Sequence, residues 1–287
     1  MKKTIISFIL ISFQTIVYAQ LNPSGSIYYL NPYLVNPAFA GIQPGWEANL
    51  SYKAQWTTIP TAPSMQSFTT VFGTKAKIGL GTNVSREDFG VFDRTSIKLT
   101  YAYHLPLDED DAYCDFGISG SVQNNRIDYR KVIADAEDQT LLNFNQKPWT
   151  ADGDVGVLVR KSKLTFSATI NGLHELLRNQ YDFYADQPGI LLSIRSEIER
   201  QGIILTPLIQ YQHLRYFRDV WDVGMQGGFA QGKLNGSMVY HSTNSITFSI
   251  GTDYMERLKL VAFYTSGTSD LRQYTNGEFE FAMQFRW

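Results

Sequence analysis

The chain has 287 residues, a formal net charge of −2, 44% hydrophobic and 14% aromatic side chains, and one cysteine. A near-neutral charge without a Lys/Arg-rich run offers nothing to neutralise a phosphate backbone, which excludes nucleic acid as a partner. The lone Cys114 excludes an internal disulfide and any multi-cysteine zinc site, and the aromatic content excludes a disordered tail.

Lys2 and Lys3 precede an apolar stretch from Thr4 to Val17, and small Ala19 closes it. This predicts a secretory signal peptide over residues 1–19, cut after Ala19. The stretch is shorter than the roughly 20 apolar residues of a spanning helix, and no Cys near the cut supports a lipid anchor. Beyond Ala19 no run approaches spanning length. An exported chain without spanning helices is either a secreted β protein or an outer-membrane barrel.

Residues 20–44 form an irregular Asn-Pro-rich segment around Tyr28-Tyr29-Leu30-Asn31-Pro32-Tyr33-Leu34-Val35-Asn36-Pro37-Ala38-Phe39-Ala40-Gly41. Proline lacks a backbone donor and biases its predecessor away from helix, so this box is no central strand. It is either a periplasmic lead-in or a plug folded into a barrel mouth, with a structural role ahead of any direct partner contact.

From residue 45 onward the pattern has period two. Trp46, Ala48, Leu50, Tyr52, Ala54 and Trp56 form one face, against Glu47, Asn49, Ser51, Lys53 and Gln55. Thr95 to Leu105 and Cys114 to Val122 repeat it, with Cys114 on the apolar face, and Phe279, Phe281, Met283, Phe285 and Trp287 close the chain. No amphipathic helix has this period. Lipid-facing residues alternating with lumen-facing ones over roughly 10 positions are the mark of a membrane barrel. With weaker segments included, residues 45–287 hold fourteen expected strands. The fold class is therefore all-β: a transmembrane outer-membrane β-barrel of about 14 antiparallel strands.

Connection lengths sort by parity, as expected of long extracellular loops and short periplasmic turns. Thr57 to Met65, Ser85 to Asp93, Gln123 to Gly153, Asn171 to Gly189 and Ser266 to Asn276 are long, whereas Gly73 to Ala76 and Gln201 to Gly202 are short. Ser242 to Asn244 breaks the pattern. The loops from Gln123 and from Asn171 are the best candidates for contact outside the cell. Lumen-facing charges would include Glu47, Lys53, Lys77, Arg94, Lys98, Asp115, Glu278, Glu280 and Arg286, whose mixed signs favour a filled barrel over a wide single-sign pore. The C-terminal aromatics Phe285 and Trp287 match the signal that barrel-insertion machinery reads.

The box Asn31-Pro32 and Asn36-Pro37-Ala38-Phe39-Ala40-Gly41, followed by Gln55-Trp56 and a turn ending at Pro63, resembles the PorP/SprF family of Bacteroidota outer-membrane proteins. Thr61-Ala62-Pro63 stands where that family usually shows Gly-Ala-Pro. The resemblance implies a non-enzymatic component of type IX secretion, linked in gliding species to surface adhesins. Its implied partners are outer-membrane lipid, the insertion machinery, other secretion components and a secreted adhesin with a sorting domain. The rival reading is a porin or a channel for hydrophobic solutes.

Enzyme chemistry has little support. His174-Glu175 lacks the second His of a zinc-protease helix, since Arg178 stands there. Gly227 to Lys233 has phosphate-loop spacing, but Leu234 replaces the required Ser/Thr and the segment reads as strand, turn, strand. Gly117-Ile118-Ser119-Gly120-Ser121 misses the nucleophile elbow at its last position. The run Asp108-Glu109-Asp110-Asp111 lacks the alternating ligands and Gly of a compact calcium loop. No cofactor is implied.

Overall fold

A computed structural model describes residues 25–58, 61–108, 111–132, 139–178, 188–215, 218–230, 232–255, 257–266 and 276–287. The expected signal peptide, residues 1–19, lies outside the described residues, as do Pro60 and residues 109–110.

The alternating segments become β1 (Gly45–Gln55), β2 (Ser64–Gly73), β3 (Ile78–Phe89), β4 (Phe92–Pro106), β5 (Ala112–Ile127), β6 (Thr150–Lys161), β7 (Leu164–Asn171) and β8 (Gly189–Ser196). They continue as β9 (Ile198–Arg200), β10 (Ile203–Leu214), β11 (Val220–Phe229), β12 (Leu234–His241), β13 (Ser245–Tyr254), β14 (Leu258–Thr265) and β15 (Glu278–Arg286). Sequential strands pair antiparallel. The ring closes where β1 meets β15, with Lys53 opposite Glu280 and Ala48 opposite Phe285. β8 and β9 both pair with β10 and are one wall interrupted at Glu197, so the closed barrel has fourteen walls.

Closure leaves only the three-residue β9 paired on one side, and lipid requires paired edges because no water is there to satisfy open N–H and C=O groups. The outward face is apolar and exposed: Leu99 is 62%, Phe281 58% and Ile250 73% accessible. Lumen-facing residues of the wall, including Asn49, Thr69, Asp115, Gln210 and Glu280, are buried. Cys114 is half-buried on the outward row, as its place in the alternation implied. At the short-turn end Trp46 packs on Phe72 at 4.6 Å and stacks on Trp287 at 6.1 Å, and Phe285 lies 5.2 Å from Trp287. These rings form an aromatic girdle at one membrane boundary.

β4 and β5 run for 15 and 16 residues, longer than the roughly 9–11 that cross. Their surplus projects beyond the apolar band on the long-loop side. Outward apolar residues stop at Val84, Ile97 and Val122; beyond them Arg86 donates to Asp93 (3.2 Å) and Lys131 to Asp88 (2.9 Å). Arg130, beside Asp128 in the loop that follows, holds that carboxyl down at about 2. A short helix α1 (Gln139–Asn145) packs here: Asn145 accepts from the Ile127 N–H (2.7 Å) and donates to the Ile127 carbonyl (3.0 Å). A second short helix, α2 (Leu173–Arg178), includes His174 and Glu175.

Three expectations change. Trp56 does not extend the first strand: it takes φ 48°, and β1 ends at Gln55, where Gln55 N–H donates to the Pro63 carbonyl and Trp56 N–H to that of Gly277, both at 2.9 Å. The Ser85 to Asp93 connection is not a long loop. β3 and β4 stay paired to Phe89 and Phe92, leaving a two-residue turn at Gly90-Val91 with Gly90 at φ 66°. The apolar pattern ended at Val84 because the membrane ends there, while the backbone ladder continues under polar pairs. Lys77 lines no lumen: it is exposed in the turn before β3 with φ 67°.

Candidate functional site: a lumen occupied by the Asn-Pro segment

Each Asn-Pro step begins a single 3-10 turn, Pro32–Leu34 and Pro37–Phe39, after a first turn at Ile27–Tyr29. Proline suits the first position because its missing N–H would have had no partner there. Asn36 precedes in an extended conformation, and its Oδ1 accepts the Ala38 N–H at 2.8 Å. Its Nδ2 donates to Ser167 Oγ (2.8 Å), the Ala168 carbonyl (3.1 Å) and the Val157 carbonyl (3.4 Å). An aspartate would keep the cap and lose all three donations, so the amide is the group this position needs.

The other residues of the segment fasten to the wall in turn. Asn31 Nδ2 donates to Thr69 Oγ1 (2.8 Å), Tyr33 shares a hydrogen bond with Thr100 (2.8 Å), and the Tyr28 hydroxyl donates to Asp222 (2.8 Å). The Ser26 N–H donates to both Glu280 carboxylate oxygens, at 3.0 and 3.2 Å. His104 bridges the Ala40 carbonyl (3.0 Å) and Asp115 (2.9 Å), and Asp115 also accepts from Arg160 at 2.5 and 3.0 Å. Apolar side chains fill between: Ile27 and Leu30 on Val261, Phe263 and Ala282; Tyr28 and Tyr29 on Leu208 and Val239; Tyr33 and Ala40 on Val71 and Ala102. Burial pushes the Tyr33 phenol up to about 12 and the Tyr28 and Tyr29 phenols well above their ordinary range, so all three are neutral hydroxyls at physiological pH.

Glycines on the lumen wall make the fit. A Cβ at Gly117 would stand 2.3 Å from the Ala38 nitrogen, and one at Gly156 1.9 Å from Asn36 Oδ1. Gly41 leaves the segment at φ 66°, where a Cβ would lie 2.5 Å from the Phe72 carbonyl.

Asn31, Pro32, Asn36, Pro37, Ala38, Phe39, Ala40 and Gly41 are thus brought together in the lumen. Of the two readings of the box, the geometry is that of a plug. Gln55, Trp56 and Pro63 lie apart, at the long-loop end of β1, where Gln55 Nε2 donates to Glu278 (2.8 Å) beside the Lys53–Glu278 pair (3.0 Å). Phe285 and Trp287 lie outside, on the girdle. Of the charges expected in the lumen, Glu280 and Asp115 are fully buried, Lys98 pairs with Asp154, and Arg286 meets Glu47 at the rim (2.8 Å). Sequence reading missed the wall partners His104, Thr100, Ser167 and Asp222. Their only local signal was being polar on the inward row.

One constellation has the connectivity of a hydrolytic triad: Thr247 Oγ1 to His241 Nε2 and His241 Nδ1 to Asp222 Oδ1, each 2.8 Å. Thr247 and His241 are fully buried, and the Thr247 hydroxyl is also engaged by Ser26 (2.9 Å) and Thr265 (2.7 Å). The hydroxyl faces plug and wall and is buried among the described residues. Among the described residues no group of three or more His, Cys, Asp or Glu side chains is arranged to hold a metal.

Comparison with solved structures returns outer-membrane barrels. The CymD monoaromatic hydrocarbon channel aligns at TM-score 0.53 and 9% identity, covering 94% of each chain. The Pseudomonas putida toluene transporter TodX aligns at 0.51 and 6%, covering 91% of this chain and 92% of its own. Omp33 of Acinetobacter baumannii aligns at 0.50 and 7%, covering 86% and 100%. At such identities the likeness shows the fold alone. No curated protein matches the chain by sequence. The family model described as "Type IX secretion system membrane protein PorP/SprF" matches residues 17–285. With a closed outer-membrane barrel and the Asn-Pro segment lodged inside it, the chain belongs to the PorP/SprF family of type IX secretion system membrane proteins.

Proposed function

We propose that the protein is a non-enzymatic outer-membrane component of type IX secretion that supports the export or surface attachment of a cognate adhesin carrying a sorting domain. The observation that carries this reading, alongside family membership, is the occupied lumen. A segment fixed to the wall from Ser26 to Ala40 suits a scaffold better than a solute pore. Lipid would contact the apolar band, the insertion machinery would read Phe285 and Trp287, and secretion partners would meet the loops on the long-loop side. The signal peptide is proposed to be removed after Ala19, which N-terminal sequencing of the membrane form checks.

Deleting the gene tests the main reading. Loss of one or more sorting-domain proteins from the cell surface is the expected result, and an unchanged surface proteome would defeat it. The rival, a solute channel on the same barrel type, predicts uptake or conductance by purified protein in liposomes, whereas the plugged barrel should be closed. Mass spectrometry of proteins co-purified from solubilised outer membranes would then name the secretion partners.

A further inference from the structure

The lumen holds one cationic side chain that the plug contacts without neutralising. Arg195 projects inward from β8, half-buried, with its guanidinium 5.2 Å from the centre of the Phe39 ring. Its Nε is buried without a hydrogen-bond partner, and no carboxylate pairs with it among the described residues. The Tyr29 hydroxyl is also buried without a partner.

The two groups are neighbours by register. Arg195 lies opposite Leu208 on β10, and Leu208 opposite Gly224 on β11. The Tyr29 hydroxyl rests on Gly224, where a Cβ would come within 2.4 Å of it. Strand spacing puts Arg195 and Gly224 about 10 Å apart, within reach of an arginine side chain leaning toward a phenol. One step further from the membrane centre, Thr206 and Gln226 face each other and are half-buried; in the other direction Gln210 and Asp222 face each other and are buried. Burial therefore falls off toward the short-turn mouth and is nearly complete in the opposite direction.

Two unpartnered donors beside Leu208 and the Phe39 ring suit an anion attached to an apolar body. The planar guanidinium fork matches a carboxylate in particular. We propose that Arg195, with the Tyr29 hydroxyl, binds a carboxylate entering by the short-turn mouth, carried either by a peptide C-terminus or by a small organic acid. The site belongs to barrel and plug and does not depend on the secretion reading.

Calorimetric titration of the full-length barrel in detergent micelles tests it, with benzoate, an Ala-Leu-Phe peptide as free acid and as C-terminal amide, and inorganic phosphate as probes. Saturable binding of a carboxylate is expected, with the peptide amide inert. Binding of the peptide acid alone assigns the source to a chain terminus, and binding of benzoate to small acids. Arg195→Gln should weaken binding by about tenfold or more, the scale of a lost charge-assisted hydrogen bond, while Arg195→Lys and Tyr29→Phe should each weaken it less. Heat-shifted gel mobility reports that the barrel is intact. Should Arg195→Gln fail to assemble, unchanged affinity in both remaining variants would overturn the proposal. So would equal binding of acid and amide, phosphate bound as tightly as carboxylate, or no saturable binding at all.

Discussion

The two faces of a single strand solve opposite problems. Along β5, Phe116 and Ile118 are exposed toward lipid, while Asp115, Gly117 and Ser119 are buried against the plug and its neighbours. The outer face tolerates variety because acyl chains conform to whatever apolar shape is offered. The inner face meets a folded segment and must match it atom by atom. Gly120 and Gly117 condense the contrast: a Cβ on Gly120 meets nothing within 4 Å, and one on Gly117 collides with the backbone of Pro37 and Ala38 at 2.3 to 2.6 Å.

The largest effect should come from filling that socket. Gly117→Val forces the plug out of register with the wall, so the variant barrel should conduct ions in planar bilayers where the wild type is closed. Gly120→Val should leave conductance unchanged and heat-shifted mobility intact. Equal behaviour of the two variants would mean that the lumen fit does not hold the plug.

This asymmetry also explains what was legible in the sequence. Strand positions were readable to within a few residues because lipid imposes a local rule on every second side chain. β13, for example, spans Ser245–Tyr254, where Ile246, Phe248, Ile250 and Tyr254 alternate with polar residues. The Asn-Pro box was readable as non-strand from its prolines, but its place inside the barrel was not. Asn36 meets Ser167 across 131 positions and Ser26 meets Glu280 across 254. No local period encodes contacts of that range. The Gly90-Val91 turn was missed for a related reason: outside the membrane, hydropathy no longer reports the ladder.

Ion pairs sharpen the comparison between inside and outside. Lys53 and Glu278 lie 3.0 Å apart with side chains 10% and 11% exposed, whereas Lys163 and Glu199 lie 3.3 Å apart at 48% and 56%. Removing one member of the buried pair strands a charge, so Lys53→Met should cost about 3–5 kcal/mol. Lys163→Met should cost less than about 1 kcal/mol. Urea unfolding in lipid vesicles reads both values, and similar costs would show that water reaches the lumen pair freely.

Titration probes the plug itself. The Tyr33 phenol is buried and pushed up to about 12 from an ordinary value of 10. Between those values the folded state keeps a proton that the unfolded chain releases, so stability falls as pH rises from 10 through 12. A shift of that size corresponds to about 2–3 kcal/mol. Tyr33→Phe should flatten this part of the pH dependence, at the price of the Thr100 hydrogen bond at neutral pH. An unaltered alkaline profile would mean that the phenol is solvated and the segment loosely seated.

The smallest effect concerns the turn outside the wall that ends at Pro63. There Thr61 takes φ 60°, a conformation that crowds a β-branched side chain. Left-handed backbone costs an L-residue about 1–2 kcal/mol, and glycine avoids that cost while losing more chain entropy on folding, about 0.5–1 kcal/mol. Thr61→Gly should therefore raise stability by up to about 1 kcal/mol. Thr61→Ala retains a Cβ and should gain much less. Because the turn follows β1 at its long-loop end, the gain should appear equally in a variant lacking residues 25–41. If it vanished there, loop and lumen would be coupled through Gln55 and Glu278, and the division between wall and plug would need redrawing at that end of β1.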